Sequence, residues 1–339
     1  MVKHRKIVGI RDIAKEAKVS LSTVSFALNN PERVAADTRK HVLRIAREFG
    51  YSRIKKSGRK GQIGILADDY YNLILGEFYN GVTWSMLEEL KARNVNVLVE
   101  STGKDPEYLP RMITKNLVDG VLLLGKSSLD LIYISQQKNI SLVMVGHPAP
   151  DIRLHAVVSD GRSGACQSTE HLIKLGHSKI GIISDGQKYD PVIAERLEGY
   201  RFALGSAGIS ERPEYIAEAD ICNPETAALA VHKLLGLKDP PTAIFCTSDS
   251  MAYRAYKAIK NKGLRIPQDI SVVGFDDISA PGYAELPQPE LTTIHVDRKE
   301  MGRISVETLF DVMHHPGKAK YRYTLPVSLV VRGSTAPLS

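Results

Sequence analysis

From residue 62 to residue 277 the chain repeats one pattern: a short apolar run ending in a polar residue or glycine, then a stretch of helical periodicity. The runs are QIGILADD (62–69), VNVLVE (95–100), GVLLLG (120–125), SLVMVG (141–146) and AVVSD (156–160), followed by KIGIISD (179–185), YIAEAD (215–220), AIFCTSD (243–249) and SVVGFDD (271–277). Helical spacing fills most gaps, as in 76–93, 161–175, 193–207, 224–235 and 250–262. A strand that is apolar at nearly every position needs cover on both faces. Helices between such strands therefore predict parallel sheets sandwiched by helices. The opening Gln62-Ile63-Gly64-Ile65-Leu66 is echoed by Lys179-Ile180-Gly181-Ile182-Ile183, which predicts two similar α/β subdomains.

Open parallel sheets gather ligands at the carboxyl ends of their strands, and two such sheets facing each other enclose a cleft. Asp68, Asp69, Asp160, Asp185, Ser248, Asp249, Asp276 and Asp277 end the runs and are its expected lining. Carboxylates accept from several hydroxyl donors, which suits a sugar or another polar small molecule. For each aspartate the competing reading is a helix N-cap or a contact between subdomains.

Ahead of this region, residues 10–51 read IRDIAKEAKVSLSTVSFALNNPERVAADTRKHVLRIAREFGY. Three short helical patterns are packed into that stretch. In the first, Ile13, Ala14 and Ala17 share a face, with Gly9 as the expected N-cap. Ser20 is placed to cap the second, whose Val24, Ala27 and Leu28 face inward while Leu21, Ser22, Ser25, Phe26 and Asn29 stay outward. The third carries Val42, Ile45, Ala46 and Phe49 on one stripe and ends at Gly50. A turn of a few residues at Lys18-Val19-Ser20 separates the first two, the layout of a helix-turn-helix that presents one helix to the DNA major groove.

Charge supports that reading. Residues 1–61 hold 16 Lys and Arg against 5 Asp and Glu, a net of +11, whereas the remainder holds 29 against 33, a net of −4. A basic segment of this kind seeks a phosphate backbone, with release of counterions. Membrane-surface binding would need bulky apolar anchors opposite the basic face, and none is evident. A length of 339 residues fits two or three domains, and no apolar run approaches the ~18–20 residues of a membrane span. The start MVKHRKIVGIRD lacks the apolar centre of a secretory signal. Cys166, Cys222 and Cys246 are few and widely spaced, without metal-ligand spacing, so a cytoplasmic protein with no metal and no cofactor is expected.

Many ordered motifs together resemble the lactose-repressor/galactose-repressor (LacI/GalR) family over nearly the whole length. They are IRDIAKEAKVSLSTVSFALN, LVDGVLLLG, HLIKLGHSKIGIIS, ERLEGYRFAL, TSDSMAYRAYKAI, ISVVGFDDI, PELTTIHVDRKEMG and VVRGSTAP. The resemblance implies an N-terminal all-α helix-turn-helix domain plus an α/β periplasmic-binding-protein-like core of two parallel-sheet subdomains. It also implies chain crossings between subdomains near Asp160, Pro289 and Tyr323. The expected divisions are 1–51 for the reader, 52–61 for a linker, 62–160 with 290–322 for one subdomain, and 161–289 with 323–339 for the other.

Carried onto this sequence, the resemblance makes residues 21–29 the recognition helix, with Leu21, Ser22 and Phe26 reading bases. Thr23, Ser25 and the Arg39/Lys40 pair then contact phosphates, and Asn29 completes the set. None of the three reading positions carries a bidentate donor, so thymine methyl groups under Phe26 and Leu21 are expected. Where the family continues into a hinge helix with a minor-groove leucine, this chain has Ser52-Arg53-Ile54-Lys55-Lys56-Ser57-Gly58-Arg59-Lys60-Gly61. Its glycines oppose a helix, and Lys55 and Lys56 suit non-specific phosphate contact.

For the effector the resemblance points to Arg196, Ser248, Asp249 and Asp276, and Asp68 joins them as a strand-end carboxylate. Leu73 and Cys222 stand where family members often place aromatic rings, which favours a sugar or small polar metabolite over a planar purine. The implied protein is a homodimeric regulator of a pseudo-palindromic double-stranded DNA operator, with no membrane partner. A solute-binding receptor is the alternative. An enzyme is disfavoured, because no HExxH, Walker loop, GxGxxG or GxSxG is present.

Overall fold

Ser20 shows how locally the first helices are specified. Its Oγ accepts from the Thr23 amide at 3.0 Å and so caps α2 (Leu21–Asn29). Before it, α1 (Ile10–Glu16) is followed by Lys18, whose φ of 52° turns the chain. After it comes α3 (Ala36–Glu48). Ile13, Ala14, Ala17, Val24, Ala27, Val42, Ile45 and Ala46 form one buried cluster, as their spacing predicts. The alanines let three short helices approach closely enough to bury a core this small.

The computed structural model describes residues 10–29, 33–48, 61–67, 77–102, 109–125, 129–148, 154–185, 190–220, 223–278, 288–315 and 321–338. The expected cap Gly9, the stripe residue Phe49 and the stop at Gly50 lie outside them, as does the side chain of Leu28. The chain divides into two units, Met1–Lys60 and Gly61–Ser339.

In the second unit the described residues form the expected parallel sheets. The first subdomain contains β1 (Gln62–Ala67), α4 (Glu77–Ala92), β2 (Asn96–Ser101), α5 (Arg111–Thr114), β3 (Gly120–Leu124), α6 (Leu129–Gln137), β4 (Ser141–Val145) and β5 (His155–Ser159). The second contains α7 (Gly161–Lys174), β6 (Ile180–Asp185), α8 (Pro191–Ser206), β7 (Ile216–Ala219), α9 (Pro224–Leu235), β8 (Ala243–Cys246), α10 (Asp249–Asn261) and β9 (Ser271–Val273). The remaining elements are β10 (Thr293–Val296), α11 (Arg298–His314), β11 (Arg322–Leu325) and β12 (Val327–Val330).

The first sheet has the order β11-β5-β4-β3-β1-β2 and the second β7-β6-β8-β9, all pairs being parallel. Successive residues of β3 point to opposite layers: Leu122 and Leu124 join the core beneath α4 and α11, while Val121 and Leu123 join the one beneath α5 and α6. That double burial is the physical reason its sequence shows no alternation.

Two expected boundaries shift. Residues 293–296 were expected in the first subdomain, but β10 pairs antiparallel with β12, and the bridges Val273–Thr292 and Asp276–His295 set it beside the second sheet. That crossing therefore falls at Asp297, which caps α11 by accepting from Glu300 N at 2.8 Å. The crossing expected at Tyr323 falls at Pro326, because Arg322–Leu325 pairs with β5. Proline has no amide to continue the ladder, so it splits one apolar run into strands of different sheets.

Candidate DNA-reading face and effector site

On the first unit, α2 leaves Leu21 and Phe26 exposed at 45% and 37%, with Ser22 also outward. The three share the outer face that the sequence predicted. Ser22 and Thr23 hydroxyls both meet Ser20 Oγ, at 2.7 and 2.8 Å, so the N-terminus of α2 carries a cluster of hydroxyls. Ser25 is half-buried, and Arg39 and Lys40 are exposed on α3. The Asn29 side chain, Lys55 and Lys56 lie outside the described residues. Sequence reasoning missed one neighbour of this face: the Arg33 guanidinium sits 5.8 Å from the centroid of the Phe26 ring.

In the second unit, Arg196 and Asp276 come together although they are 80 residues apart in sequence. Arg196 projects from α8, is only 7% exposed, and lies with its guanidinium 3.8 Å from the Phe275 ring centroid. It donates through Nη1 to the Thr247 carbonyl and through Nη2 to Asp276 Oδ1 at 3.3 Å. Its buried Nε has no partner among the described residues. Asp276 follows β9 with φ of 114°, a conformation that costs energy for a side chain other than glycine and recurs at functional sites. Burial pushes its carboxyl up to about 6, against the pull of the Arg196 and Arg298 cations. A buried cation with a free donor, beside a carboxylate, can grip an oxygen-rich ligand from two directions.

The next residue is held differently. Asp277 accepts from Arg332 Nη2 at 2.7 Å and from His295 Nδ1 at 2.8 Å, while Arg298 donates to its carbonyl at 3.0 Å. Burial works to raise its carboxyl, and the hydrogen bonds from Arg332 and His295 outweigh that and hold it low. These contacts lock the turn that presents Asp276.

Asp249 departs from expectation. It is fully buried, and its carboxylate accepts from Ile278 N at 2.9 Å and Thr293 Oγ1 at 2.5 Å. Burial raises its carboxyl well above the ordinary value. It pins the turn after β9 and does not line a cleft. Ser248 caps α10, accepting from Met251 N at 3.3 Å. Asp160 likewise caps α7, accepting from Ser163 N at 2.8 Å. Asp68, Asp69, Leu73 and Cys222 lie outside the described residues.

Two polar links between the subdomains escaped the sequence. His147, after β4, donates to Asp190 at the N-cap of α8. Arg322 of β11 forms a two-pronged ion pair with Glu195, next to Arg196. The dipeptide Asp190-Pro191 does signal a helix start, but nothing local names its partner. Among the described residues no group of three or more His, Cys, Asp or Glu is placed to hold a metal, and no helix is long and apolar enough to cross a membrane.

Fold and site together define a class: a helix-turn-helix reader joined to a periplasmic-binding-protein-like sensing core. Residues 9–53 match the family described as bacterial regulatory proteins, lacI family, and residues 169–335 match a periplasmic binding protein-like domain. The HTH-type transcriptional repressor CytR of Escherichia coli (strain K12) is 34% identical, covering 99% of this chain and 98% of that protein. The ribose operon repressor of Haemophilus influenzae is 33% identical over 96% of this chain and 98% of its own length. Among solved structures, a transcriptional regulator CelR–cellobiose complex superposes with a TM-score of 0.72 at 28% identity, covering 96% of this chain and 99% of that one. A LacI family regulator from Enterococcus faecium with bound ribose gives 0.71 at 26% identity, over 82% of this chain and all of that one.

The chain belongs to the LacI family of bacterial regulatory proteins. It is a DNA-binding transcriptional regulator of the repressor type, and the solute-receptor alternative falls away because relatives matched almost end to end are repressors.

Proposed function

We propose that the protein represses transcription as a homodimer on a pseudo-palindromic operator and is controlled by a small, polar, sugar-like effector bound at Arg196 and Asp276. The observation that carries this reading is the buried guanidinium of Arg196, which keeps one donor without a partner beside Asp276. Leu21, Ser22 and Phe26 read bases, while Thr23, Ser25, Asn29, Arg39, Lys55 and Lys56 hold the sugar-phosphate backbone. Asp68, Leu73, Cys222 and Ser248 complete the effector site. The protein acts in the cytoplasm and catalyses no reaction.

Control follows from differential affinity. An effector shifts DNA binding only if it binds one arrangement of the subdomains more tightly than the other. The α8 helix is suited to register that difference, since it carries the effector-gripping Arg196 directly after its two attachments to the first subdomain, at Asp190 and Glu195. The test is selection of bound duplexes from a random pool, repeated with ribose, cellobiose and a panel of sugar phosphates. An enriched two-fold symmetric site whose occupancy responds to one of these compounds is the expected result. Absence of any enriched sequence across the panel refutes the reading.

A further inference from the structure

The exposed face of α2 has a chemical gap. Leu21, Ser22 and Phe26 are apolar or hydroxylic, and the sequence LSTVSFALN contains no lysine, arginine or glutamine. Such a face can press on thymine methyl groups, but it cannot make the paired donor contact to guanine O6 and N7 that gives strong discrimination. A guanidinium from outside the helix lies beside this face.

Arg33 follows α2 in the connection to α3, and its Cζ lies 5.8 Å from the Phe26 ring centroid, within the range of a cation–π contact. Both side chains are solvent-exposed, and among the described residues no carboxylate pairs with Arg33. Its backbone is held in place: Val34 packs against the three-helix core, and Ala35 accepts from Arg39 N at 2.9 Å in the first turn of α3. The cation thus starts from a fixed point, and less of its freedom is lost on binding. A cation–π contact engages the charge of the guanidinium and does not consume its N–H donors.

We propose that Arg33, held over the Phe26 ring, recognises a guanine within about two base-pair steps (~3.4 Å each) of the thymine that Phe26 touches. The inference rests on α2 being the reading helix. It converts a face that senses only methyl groups into one that reads a thymine–guanine combination. Arg39 and Lys40, exposed on α3, remain the cations for the backbone.

The test uses the full-length protein and its Arg33→Ala and Arg33→Lys variants, each checked for folding by circular dichroism. Bound duplexes are selected from a random pool, and affinities for the resulting sites are measured against salt. The wild type should enrich a G·C pair in each half-site beside an A·T pair. Both variants should lose that G·C preference by about tenfold while keeping the other positions, because lysine restores the charge but not the planar, pre-organised fork of donors or its contact with the ring. Two results overturn the inference. One is an unchanged selected site in both variants. The other is a sequence-independent loss in Arg33→Ala, with the salt slope reduced by about 0.9, that lysine restores. A wild type without any sequence preference overturns the regulator reading as well, so the two failures are distinguishable.

Discussion

His147 Nε2 and Asp190 Oδ1 meet at 3.0 Å across the two subdomains, and both side chains are largely shielded from solvent. Asp190 also accepts from Val192 N at 2.9 Å, so the residue that starts α8 also anchors it to the opposite subdomain. One and a half turns further along, Glu195 takes Arg322 of the first subdomain and Arg196 takes Asp276 of the second. Helix α8 therefore carries both links to the first subdomain and, directly after them, Arg196, the proposed effector contact.

Removing the His147–Asp190 link should loosen the joined arrangement of the subdomains. His147→Ala deletes a shielded hydrogen bond to a carboxylate, worth about 1.5–3 kcal/mol. Effector binding that depends on the joined arrangement should weaken roughly tenfold or more. Calorimetric titration with whichever sugar the ligand panel identifies measures it, and an unaltered affinity means the contact is present in both arrangements.

The Arg196–Asp276 pair should be costly to break from one side only. Arg196→Met leaves Asp276 buried without its main counter-charge, and a loss of about 3–5 kcal/mol is expected. Adding Asp276→Asn should recover most of that loss. Urea midpoints for the two single variants and the double variant test this; additive losses would show that the pair does not act as a unit.

Protonation of Asp276 sets a pH dependence of stability. Its folded carboxyl stands at about 6, above the unfolded value of 3.8, so the folded state holds an extra proton between those limits. The associated stability is fully present below pH ~4 and is lost as pH rises through about 6, a change of up to about 3 kcal/mol. Asp269 works in the opposite sense: the Arg265 hydrogen bonds hold it near 2, and its contribution fades as pH falls from about 4 to 2. The difference in unfolding free energy between wild type and Asp276→Asn isolates the first effect, and a flat difference from pH 4 to 7 contradicts it.

Helices α7 and α8 meet at glycine. A Cβ on Gly199 would lie 2.1 Å from the Arg162 carbonyl oxygen, which is backbone and cannot swing aside. Gly199→Ala should destabilise by about 1–3 kcal/mol or more. Gly205, on the same helix, has nothing within 4 Å, and Gly205→Ala should instead stabilise by about 0.5–1 kcal/mol. Thermal melts of the two variants should move in opposite directions.

At the reading face, Phe26→Ala should relax the preference for thymine at one half-site position by about 1–3 kcal/mol. Selected-site profiles give the answer directly, and an unchanged profile rules out base contact by the ring.

Much of this molecule can be recovered from its sequence, because the relevant forces are local. Apolar runs mark strands covered on both faces, 3.6-residue periodicity marks their helices, and Ser20 marks the start of α2 within one turn. The concentration of positive charge in residues 1–61 needs no structure to be seen. Tertiary packing decided the rest. Asp276 and Asp277 are adjacent and chemically identical, yet burial raises one, while Arg332 and His295, 55 and 18 residues away, hold the other low. Asp249 resembled a cleft ligand and is an internal clip, because Thr293 and Ile278 reach it from distant segments. The same holds for His147 with Asp190 and for Arg33 on Phe26. A residue type limits the interactions a side chain can make, but solvent access and the choice of partner depend on segments that meet only when the chain is folded.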